Sequence, residues 1–260
     1  MPNKEYRYKP GRSYLSGAKP DAKGVNFSIF TRHATSVELF LFKTSKCEKP
    51  FQVIQLEKEL NRTFYSWHVY VVGLPKGTWF TWRIDGPSEP KEAGFLFDKE
   101  KHLIDPWARV VSDINWDRQV ACKPGDNILS SMRGMVVDDN DYNWEGDKPL
   151  RISSERSIIY ELHVGGFTRH PSAKVNNPGT FSGLIEKIPY LKKLGITHVE
   201  LLPIMAFDEQ DAPRGTIDLG LKNYWGYSTH SFFSPHPGYC VTPEQGTHVK
   251  EFRDLVKALH

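Results

Sequence analysis

The residues whose types and spacing point most directly to chemistry are a short aromatic run with a glycine inside it, Asn223-Tyr224-Trp225-Gly226-Tyr227. A second aromatic stretch, with proline and histidine, follows at 232–239. Aromatic rings held in a loop present flat apolar faces, which can stack on the flat apolar face of a sugar ring. The same rings could instead fill a core, because large aromatic side chains are usually buried. The run alone leaves both interpretations open.

The composition argues against several classes of function. The 260 residues carry 34 basic and 31 acidic side chains, a net charge of +3, and these charges are interspersed. We therefore predict no nucleic-acid partner. The first residues lack the apolar run of a signal peptide, and no segment reaches the ~18 apolar residues of a membrane helix. The sequence thus predicts a cytoplasmic protein with no membrane partner.

The cysteines and the acidic residues do not form a recognisable metal site. Cys47, Cys122 and Cys240 lie far apart, make an odd number and show no paired spacing with histidine. We predict neither a disulfide nor a metal site from them. The acidic run at 138–141 lacks the glycine and the downstream glutamate of a calcium loop, so we interpret it as a solvated turn.

The first part of the chain has the pattern of an all-β domain. Residues 1–20 show no period and predict an irregular lead-in. Apolar residues alternate in 25–30 and 36–42, and again in 64–71 and 78–84, which flank a Leu-Pro-Lys-Gly turn and are predicted to form a hairpin. Short strands separated by turns predict an immunoglobulin-like β-sandwich over 21–112, followed by a linker or irregular layer over 113–155.

The pattern changes at Ser157. A nearly continuous apolar strand over 157–164 is followed by a helical pattern that Thr180 can cap, that Pro189 should break and that Gly195 should end. A second apolar strand over 196–204, the long aromatic loop and a helix that Thr247 can cap complete the series. This alternation predicts a right-handed parallel βαβ arrangement over 156–260.

Two groups of segments resemble a known family. Phe80-Thr81-Trp82-Arg83-Ile84-Asp85-Gly86-Pro87 and the later His102-Leu103-Ile104-Asp105-Pro106-Trp107-Ala108 resemble the N-terminal sandwich of isoamylase-type enzymes. The segments 160–168, 195–204, 223–227 and 251–260 occur in this order in glycogen-debranching enzymes of the α-amylase superfamily, glycoside hydrolase family 13. The resemblance implies a carbohydrate-binding-type module followed by the first βα units of a TIM barrel, which is incomplete. It also implies that Trp79, Trp82 and Trp107 fill a core or an interface.

The resemblance implies hydrolysis of α-1,6 branch linkages in glycogen-like α-glucans by a retaining mechanism, with a branched α-glucan as the partner and no metal or organic cofactor. In the family the catalytic carboxylates follow the segment that matches the end of this chain. We therefore assign no catalytic residue here, although Glu161, Glu200, Asp208 and Asp211 are candidates by type. The alternatives are a branching or trehalose-releasing enzyme of the same superfamily, or a non-catalytic glucan-binding protein.

The substrate-binding residues that the resemblance implies are Tyr227, Trp225 and Tyr224. Tyr227 is the tyrosine that stacks under the sugar next to the cleaved bond in the family, whereas Trp225 could shape the subsite or only support Tyr227. Glu161, His163 and Glu200 could line a pocket or form an internal hydrogen-bonded network. We expect the charges of the loop 208–220 to be solvated, and we expect three histidines to be ordinary structural residues: His198, His230 and His236.

Overall fold

The structure is a computed structural model that describes residues 5–88 and 94–260. The chain divides into two compact units, the first ending at Asp138 and the second beginning at Asp139. In the described part of the chain, no helix is long and apolar enough to cross a membrane. The three cysteines are all free thiols.

The first unit is a β-sandwich, as the alternating strands predict. Its strands are β1 (Tyr8–Pro10), β2 (Gly17–Asp21), β3 (Gly24–Phe30), β4 (Ser36–Phe42), β5 (Gln52–Gln55), β6 (Arg62–Thr63), β7 (Ser66–Val72), β8 (Trp79–Asp85), β9 (His102–Leu103), β10 (Val111–Ser112) and β11 (Arg133–Met135). Two short helices, α1 (Lys58–Asn61) and α2 (Arg118–Ala121), connect some of them. One sheet has the order β1-β7-β3-β2 with β6 beside β7, and the other has the order β10-β11-β8-β4-β5 with β9 beside β8.

The alternating residues of the strands form the core between the two sheets. Phe27 of β3 contacts the rings of Phe80 and Trp82 of β8, with centroid distances of 5.1 and 6.3 Å. The predicted inward positions of β3 and β4 are all buried: Val25, Phe27, Ile29, Val37, Leu39 and Leu41. The period-two pattern therefore identified the inner face of each of these two strands correctly.

The predicted hairpin between 64–71 and 78–84 is wrong. β7 pairs with β3 in one sheet, and β8 pairs with β4 in the other. The turn between them crosses from one sheet to the other, and Leu74 within it is buried in the core. Both strands alternate because each buries one face, and alternation does not reveal whether two such strands pair or face each other across the core.

The boundaries of the sandwich also differ from the prediction. β1 and β2 occupy part of the predicted lead-in, while β11 and α2 lie in the predicted linker 113–155. β2 pairs with β3 from Gly17 to Asp21 and carries Pro20. An edge strand tolerates proline and needs little apolar alternation. The alternation of apolar residues therefore did not reveal β2.

The second unit alternates strands and helices. The strands are β12 (Ile159–Leu162), β13 (His198–Leu201), β14 (Met205–Phe207) and β15 (Thr229–Pro235). The helices are α3 (Val164–Arg169), α4 (Phe181–Ile185), α5 (Ile188–Leu194), α6 (Arg214–Asp218) and α7 (His248–Leu259). β12 and β13 are parallel, as predicted, with Glu161 in register with Glu200. β14 and β15 form an antiparallel pair that the prediction of one long loop missed.

The helix between β12 and β13 has the predicted start, break and end. The Thr180 hydroxyl accepts a hydrogen bond from the Gly183 amide at 3.1 Å. The helix divides into α4 and α5 just before Pro189, which has no N–H to continue the hydrogen-bond pattern. Gly195 ends α5 with a φ of 84°. Thr247 differs from the prediction: its side chain does not cap α7, and its hydroxyl lies within hydrogen-bond distance of Thr242 O and of the Glu251 carboxylate.

Candidate functional site

The aromatic loop, defined here as residues 223–227, lies between α6 and β15, and Gly226 fixes its shape. Gly226 has a φ of 81°, a region that side chains other than glycine rarely adopt. A Cβ at this position would lie 3.0 Å from Cδ1 of the buried Phe207. The glycine therefore lets the backbone pass close to Phe207, while Trp225 and Tyr227 on either side of it stay 56% and 72% exposed.

His163, the residue after β12, joins the aromatic loop to the end of that strand. Its Nδ1 accepts a hydrogen bond from the Gly166 amide at 2.9 Å, so the ring proton is on Nε2. Nε2 donates to the Tyr224 carbonyl at 2.8 Å, and the Tyr239 hydroxyl lies 3.1 Å from the same nitrogen. Burial lowers the pKa of His163, which keeps the ring neutral and this pattern of donor and acceptor intact.

Tyr224 stacks on His163. The ring centroids lie 4.2 Å apart and the planes are 14° from parallel. A Cβ on Gly166 would come within 2.1 Å of the Tyr224 hydroxyl oxygen, so only glycine leaves room for this tyrosine. Trp225 packs edge-on against Tyr224 at a centroid distance of 5.2 Å. One face of Tyr224 is thus covered, and the residue remains 41% exposed.

A second group of contacts anchors the start of the loop. The Asn223 amide donates to the Glu209 carbonyl at 2.9 Å, and the Asn223 side chain donates to the Asp208 carbonyl at 3.3 Å. The Glu209 carboxylate contacts Lys222 Nζ at 2.6 Å and His236 Nε2 at 3.5 Å. Two contacts lower the pKa of Glu209 to about 2: the hydrogen bond with His236, which has the larger effect, and the contact with Lys222. Glu209 is therefore ionised at neutral pH and holds both neighbours in place.

Of the two histidines that flank the loop in β15 and just after it, His236 is buried and His230 is half-buried. His236 stacks on Phe207 with a centroid distance of 3.9 Å and is only 1% exposed, which agrees with a structural role. Burial lowers the pKa of His230 to about 4. Within the part of the chain that the structure describes, neither ring nitrogen of His230 has a hydrogen-bond partner. His198 is exposed on β13 and contacts the Thr197 hydroxyl at 2.8 Å.

The structure places Glu161 beside Glu200 and gives His163 a different environment from both. Glu161 and Glu200 are exposed, whereas His163 is buried beneath Tyr224. The expectation that the loop charges are solvated is wrong for Asp208, which is 4% exposed, and for Glu209, which is paired. Sequence reasoning missed the positioning role of His163. The histidine three residues before a glycine, at the start of a helix, was the available signal for it.

The tryptophans of the sandwich divide between core and surface. Trp79 and Trp82 are buried, as predicted, and Trp82 Nε1 donates to Asp105 Oδ2 at 3.0 Å. Burial raises the pKa of Asp105 to about 6, because the carboxyl lies in the sandwich interior. Trp107 is not a core residue: its amide donates to Asp105 Oδ1 at 2.8 Å and the residue is 45% exposed. Its predicted place in an interface stays a prediction.

The geometry suits recognition more than catalysis. Exposed aromatic faces stand on a loop fixed at Asn223 and at Tyr224, a combination that binds flat apolar ligand surfaces at a small entropic cost. Among residues 5–88 and 94–260, no group of three or more His, Cys, Asp or Glu side chains is arranged to hold a metal ion.

Comparison with known protein families identifies the class of the first unit. Residues 16–108 match the family model of carbohydrate-binding module 48, the isoamylase N-terminal domain. The two-sheet sandwich described above contains the whole matched segment apart from the undescribed residues.

The chain as a whole is related to the isoamylase and GlgX proteins. It is 38% identical over 245 residues to chloroplastic isoamylase 1 of Arabidopsis thaliana. That alignment covers 91% of this chain and 31% of the relative. It is 33% identical over 266 residues to the glycogen operon protein GlgX homolog of Mycobacterium tuberculosis. That alignment covers 96% of this chain and 36% of the relative. The chain thus spans about a third of the length of the curated relatives it matches.

Solved structures share the fold. The product complex of the multi-modular glycogen-degrading pneumococcal virulence factor SpuA matches 95% of this chain and 26% of its own, with a TM-score of 0.72 and 22% identity. A pullulanase mutant from Paenibacillus barengoltzii complexed with maltotetraose matches 95% of this chain and 36% of its own, again with a TM-score of 0.72 and 22% identity. At this level of identity the likeness concerns the fold.

Proposed function

We propose that this chain is part of a glycoside hydrolase that cleaves α-1,6 branch linkages in glycogen-like α-glucans. The observation that carries the proposal is the relationship to isoamylase over 91% of the chain. The exposed aromatic loop supports it, because Trp225 and Tyr227 offer faces of the kind that a glucose ring can cover.

We further propose that the second unit, over 156–260, supplies the first βα units of a TIM-type catalytic barrel. The parallel pair β12 and β13, joined through helices, supports this assignment. Loops that follow barrel strands lie at the catalytic face of such a barrel, and the aromatic loop follows β13 and β14 in sequence.

Within this proposal Tyr227, Trp225 and Tyr224 bind substrate. Tyr227, the most exposed of the three, stacks against the glucose unit next to the cleaved bond. Trp225 forms an adjoining wall. Tyr224 is held on His163 and supports the other two residues more than it contacts sugar, since one of its faces is already covered.

The reaction proposed is retaining hydrolysis. One carboxylate attacks the anomeric carbon while a carboxylic acid protonates the leaving oxygen, with the two groups ~5–5.5 Å apart, and water then hydrolyses the glycosyl-enzyme. We assign these carboxylates to sequence that relatives carry beyond the region matched here, and we assign neither Glu161 nor Glu200 to the reaction. These steps require no metal or organic cofactor. A cytoplasmic location, with no nucleic-acid or membrane partner, stays a prediction from the sequence.

The test is hydrolysis of a branched α-glucan by the 260-residue chain beside the same gene extended to its natural stop, scored by new reducing ends and loss of branch points. We expect only the extended product to cleave branches. A short chain that also cleaves them would overturn the placement of the carboxylates and make Glu161 and Glu200 the first residues to mutate. An extended product that binds glucan without cleaving any linkage would favour a non-catalytic glucan-binding protein, and one that transfers branches would favour a branching enzyme.

A further inference from the structure

A second exposed aromatic cluster lies on the sandwich. It consists of side chains at the end of β3 and around the turn between β6 and β7: Phe30, Arg32, Arg62, Phe64 and Tyr65. Phe64 is 88% exposed, Phe30 is 63% exposed and Tyr65 is 41% exposed. We call this cluster the aromatic–arginine patch.

Phe64 occupies a backbone position that is unfavourable for phenylalanine. Thr63 pairs with Ser66, so Phe64 and Tyr65 form a two-residue turn, and Phe64 has a φ of 53°. Turns of this kind normally use glycine or asparagine at a left-handed position, because a bulky side chain is strained there. Burial of the ring does not offset this strain, since the residue is almost fully exposed. Backbone strain of this sort is concentrated at functional sites of proteins.

The patch is rigid. Arg62 Nε donates to the Phe64 carbonyl at 2.7 Å, and an Arg62 terminal nitrogen donates to the Arg32 carbonyl at 3.2 Å. The guanidinium carbons of Arg32 and Arg62 lie 5.4 and 5.9 Å from the Tyr65 ring centroid. Phe30 packs edge-on against Tyr65 at 6.1 Å. A ligand that binds here would not have to order Arg62, Tyr65 and Phe30, which lowers the entropic cost of binding.

The two arginines keep hydrogen-bonding capacity. Among the described residues, no carboxylate forms a salt bridge with Arg32 or Arg62, and Arg62 uses only some of its five N–H donors on the two carbonyls. The patch therefore combines open aromatic faces with donors beside them. A neutral ligand with an apolar face and hydroxyl oxygens along its edge matches this combination.

We propose that the aromatic–arginine patch is a second α-glucan-binding site, which holds the polymer through Phe64 and Phe30 while the arginines donate to sugar hydroxyls. The inference rests on the proposed function for the identity of the ligand. The patch lies within 16–108, the segment that matches the model of a carbohydrate-binding module family. Its size also favours a sugar chain, because a stable protein interface uses about 20–30 residues a side and this patch offers five.

The decisive variant is Phe64→Gly in the full 260-residue chain. Glycine adopts a positive φ without strain, so this change removes the ring and leaves the turn intact. The control is Tyr8→Ala. Tyr8 is a 51% exposed aromatic on β1, paired with Val71 at the far end of β7 and roughly 17 Å along the strand from Ser66.

The measurement is retardation in native gels that contain glycogen, with maltoheptaose titration as a second readout, on wild type, Phe64→Gly, Trp225→Ala and the double variant. We expect Phe64→Gly to weaken glycogen binding about three- to tenfold with no fall in melting temperature. We expect the double variant to bind more weakly than either single variant and Tyr8→Ala to bind like wild type.

Unchanged glycogen binding by Phe64→Gly would overturn the inference, and so would a wild-type chain that binds no glycogen. A change in sedimentation coefficient with unchanged glycogen binding would also overturn it, in favour of a protein-docking surface. These failures are distinct from failure of the proposed function, which is decided by branch cleavage in the extended product and by the Trp225→Ala variant.

Discussion

His163 and Tyr224 form a stacked pair in which the histidine also donates a hydrogen bond to the tyrosine's own carbonyl, with a centroid distance of 4.2 Å and an Nε2–O distance of 2.8 Å. One side chain thus fixes both the backbone and the ring of the residue that begins the exposed aromatic series. This pair and Gly226 hold the loop in its conformation. The intrinsic preference of the aromatic residues for a loop contributes little to it.

The His163→Ala variant should loosen the aromatic loop. It removes the stack and leaves the Tyr224 carbonyl and the Gly166 amide without their partner, which costs about 1–3 kcal/mol of unfolding free energy. Urea denaturation of the 260-residue chain measures the loss. His198→Ala, at an exposed histidine on β13, should change stability by less than about 0.5 kcal/mol. Equal effects of the two variants would contradict the role given to His163.

Gly166→Ala should displace Tyr224, because the added Cβ would meet its hydroxyl oxygen at 2.1 Å. The ring carbon that bears the hydroxyl would be 3.4 Å away, an ordinary contact. Tyr224→Phe in the same chain should therefore restore the stability that Gly166→Ala removes. The double variant should even benefit from alanine in α3, since alanine is favoured over glycine in a helix by about 1 kcal/mol. A double-mutant cycle with no coupling would show that the tyrosine does not occupy this position.

Glu209 should make stability depend on pH in an acidic window. Its pKa is lowered to about 2 in the folded protein, so its contribution is complete above the unfolded-state pKa of about 4.3. That contribution is lost as the pH falls through the folded-state pKa. Wild type should thus be more stable than Glu209→Gln at pH 7, and the difference should shrink between about pH 4.3 and about pH 2.

Urea denaturation of both proteins across this range measures that difference. The matched control is Glu244→Gln, at an exposed glutamate in the second unit. A difference between wild type and Glu209→Gln that stays constant down to pH 2 would contradict the pairing of Glu209 with His236 and Lys222.

Trp225→Ala and Tyr227→Ala should each weaken binding of maltoheptaose about three- to tenfold, the loss expected for one aromatic stacking contact. Both residues are more than half exposed, so neither change should alter the unfolding free energy by more than about 0.5 kcal/mol. Isothermal titration calorimetry gives the affinities. Tyr190→Ala, at a 51% exposed aromatic of α5, serves as the control and should bind like wild type. A loss of affinity in the control equal to that of the loop variants would argue against a site at the loop.

Local sequence patterns predicted those parts of the fold that depend on a single physical cause. The inner faces of β3 and β4, the cap by Thr180, the break before Pro189 and the end at Gly195 all follow from period, hydrogen-bonding capacity or backbone freedom. Strand pairing did not follow in the same way. β7 and β8 carry the alternation of a hairpin but belong to different sheets, and only the packed core decides between these arrangements.

Prediction of the candidate site from the sequence has the same limit. The run 223–227 identified the exposed aromatic residues, but nothing in its spacing places His163 beneath Tyr224 or Glu209 between His236 and Lys222. Those contacts join residues that are 13 to 61 positions apart in sequence. The exposed Phe64 was likewise hidden within an ordinary strand pattern, because its positive φ is a property of the turn conformation.

The most direct test of the account is branch-point cleavage of glycogen by the gene product extended to its natural stop, compared between wild type, Tyr227→Ala and Tyr8→Ala. Tyr8 and Tyr227 are both exposed tyrosines, and they lie in different units. If the aromatic loop supplies substrate contacts to a debranching hydrolase, wild type and Tyr8→Ala will cleave branches and Tyr227→Ala will do so at least about tenfold more slowly at low substrate concentration. Branch cleavage by Tyr227→Ala at the wild-type rate, or no branch cleavage by any of the three, would contradict it.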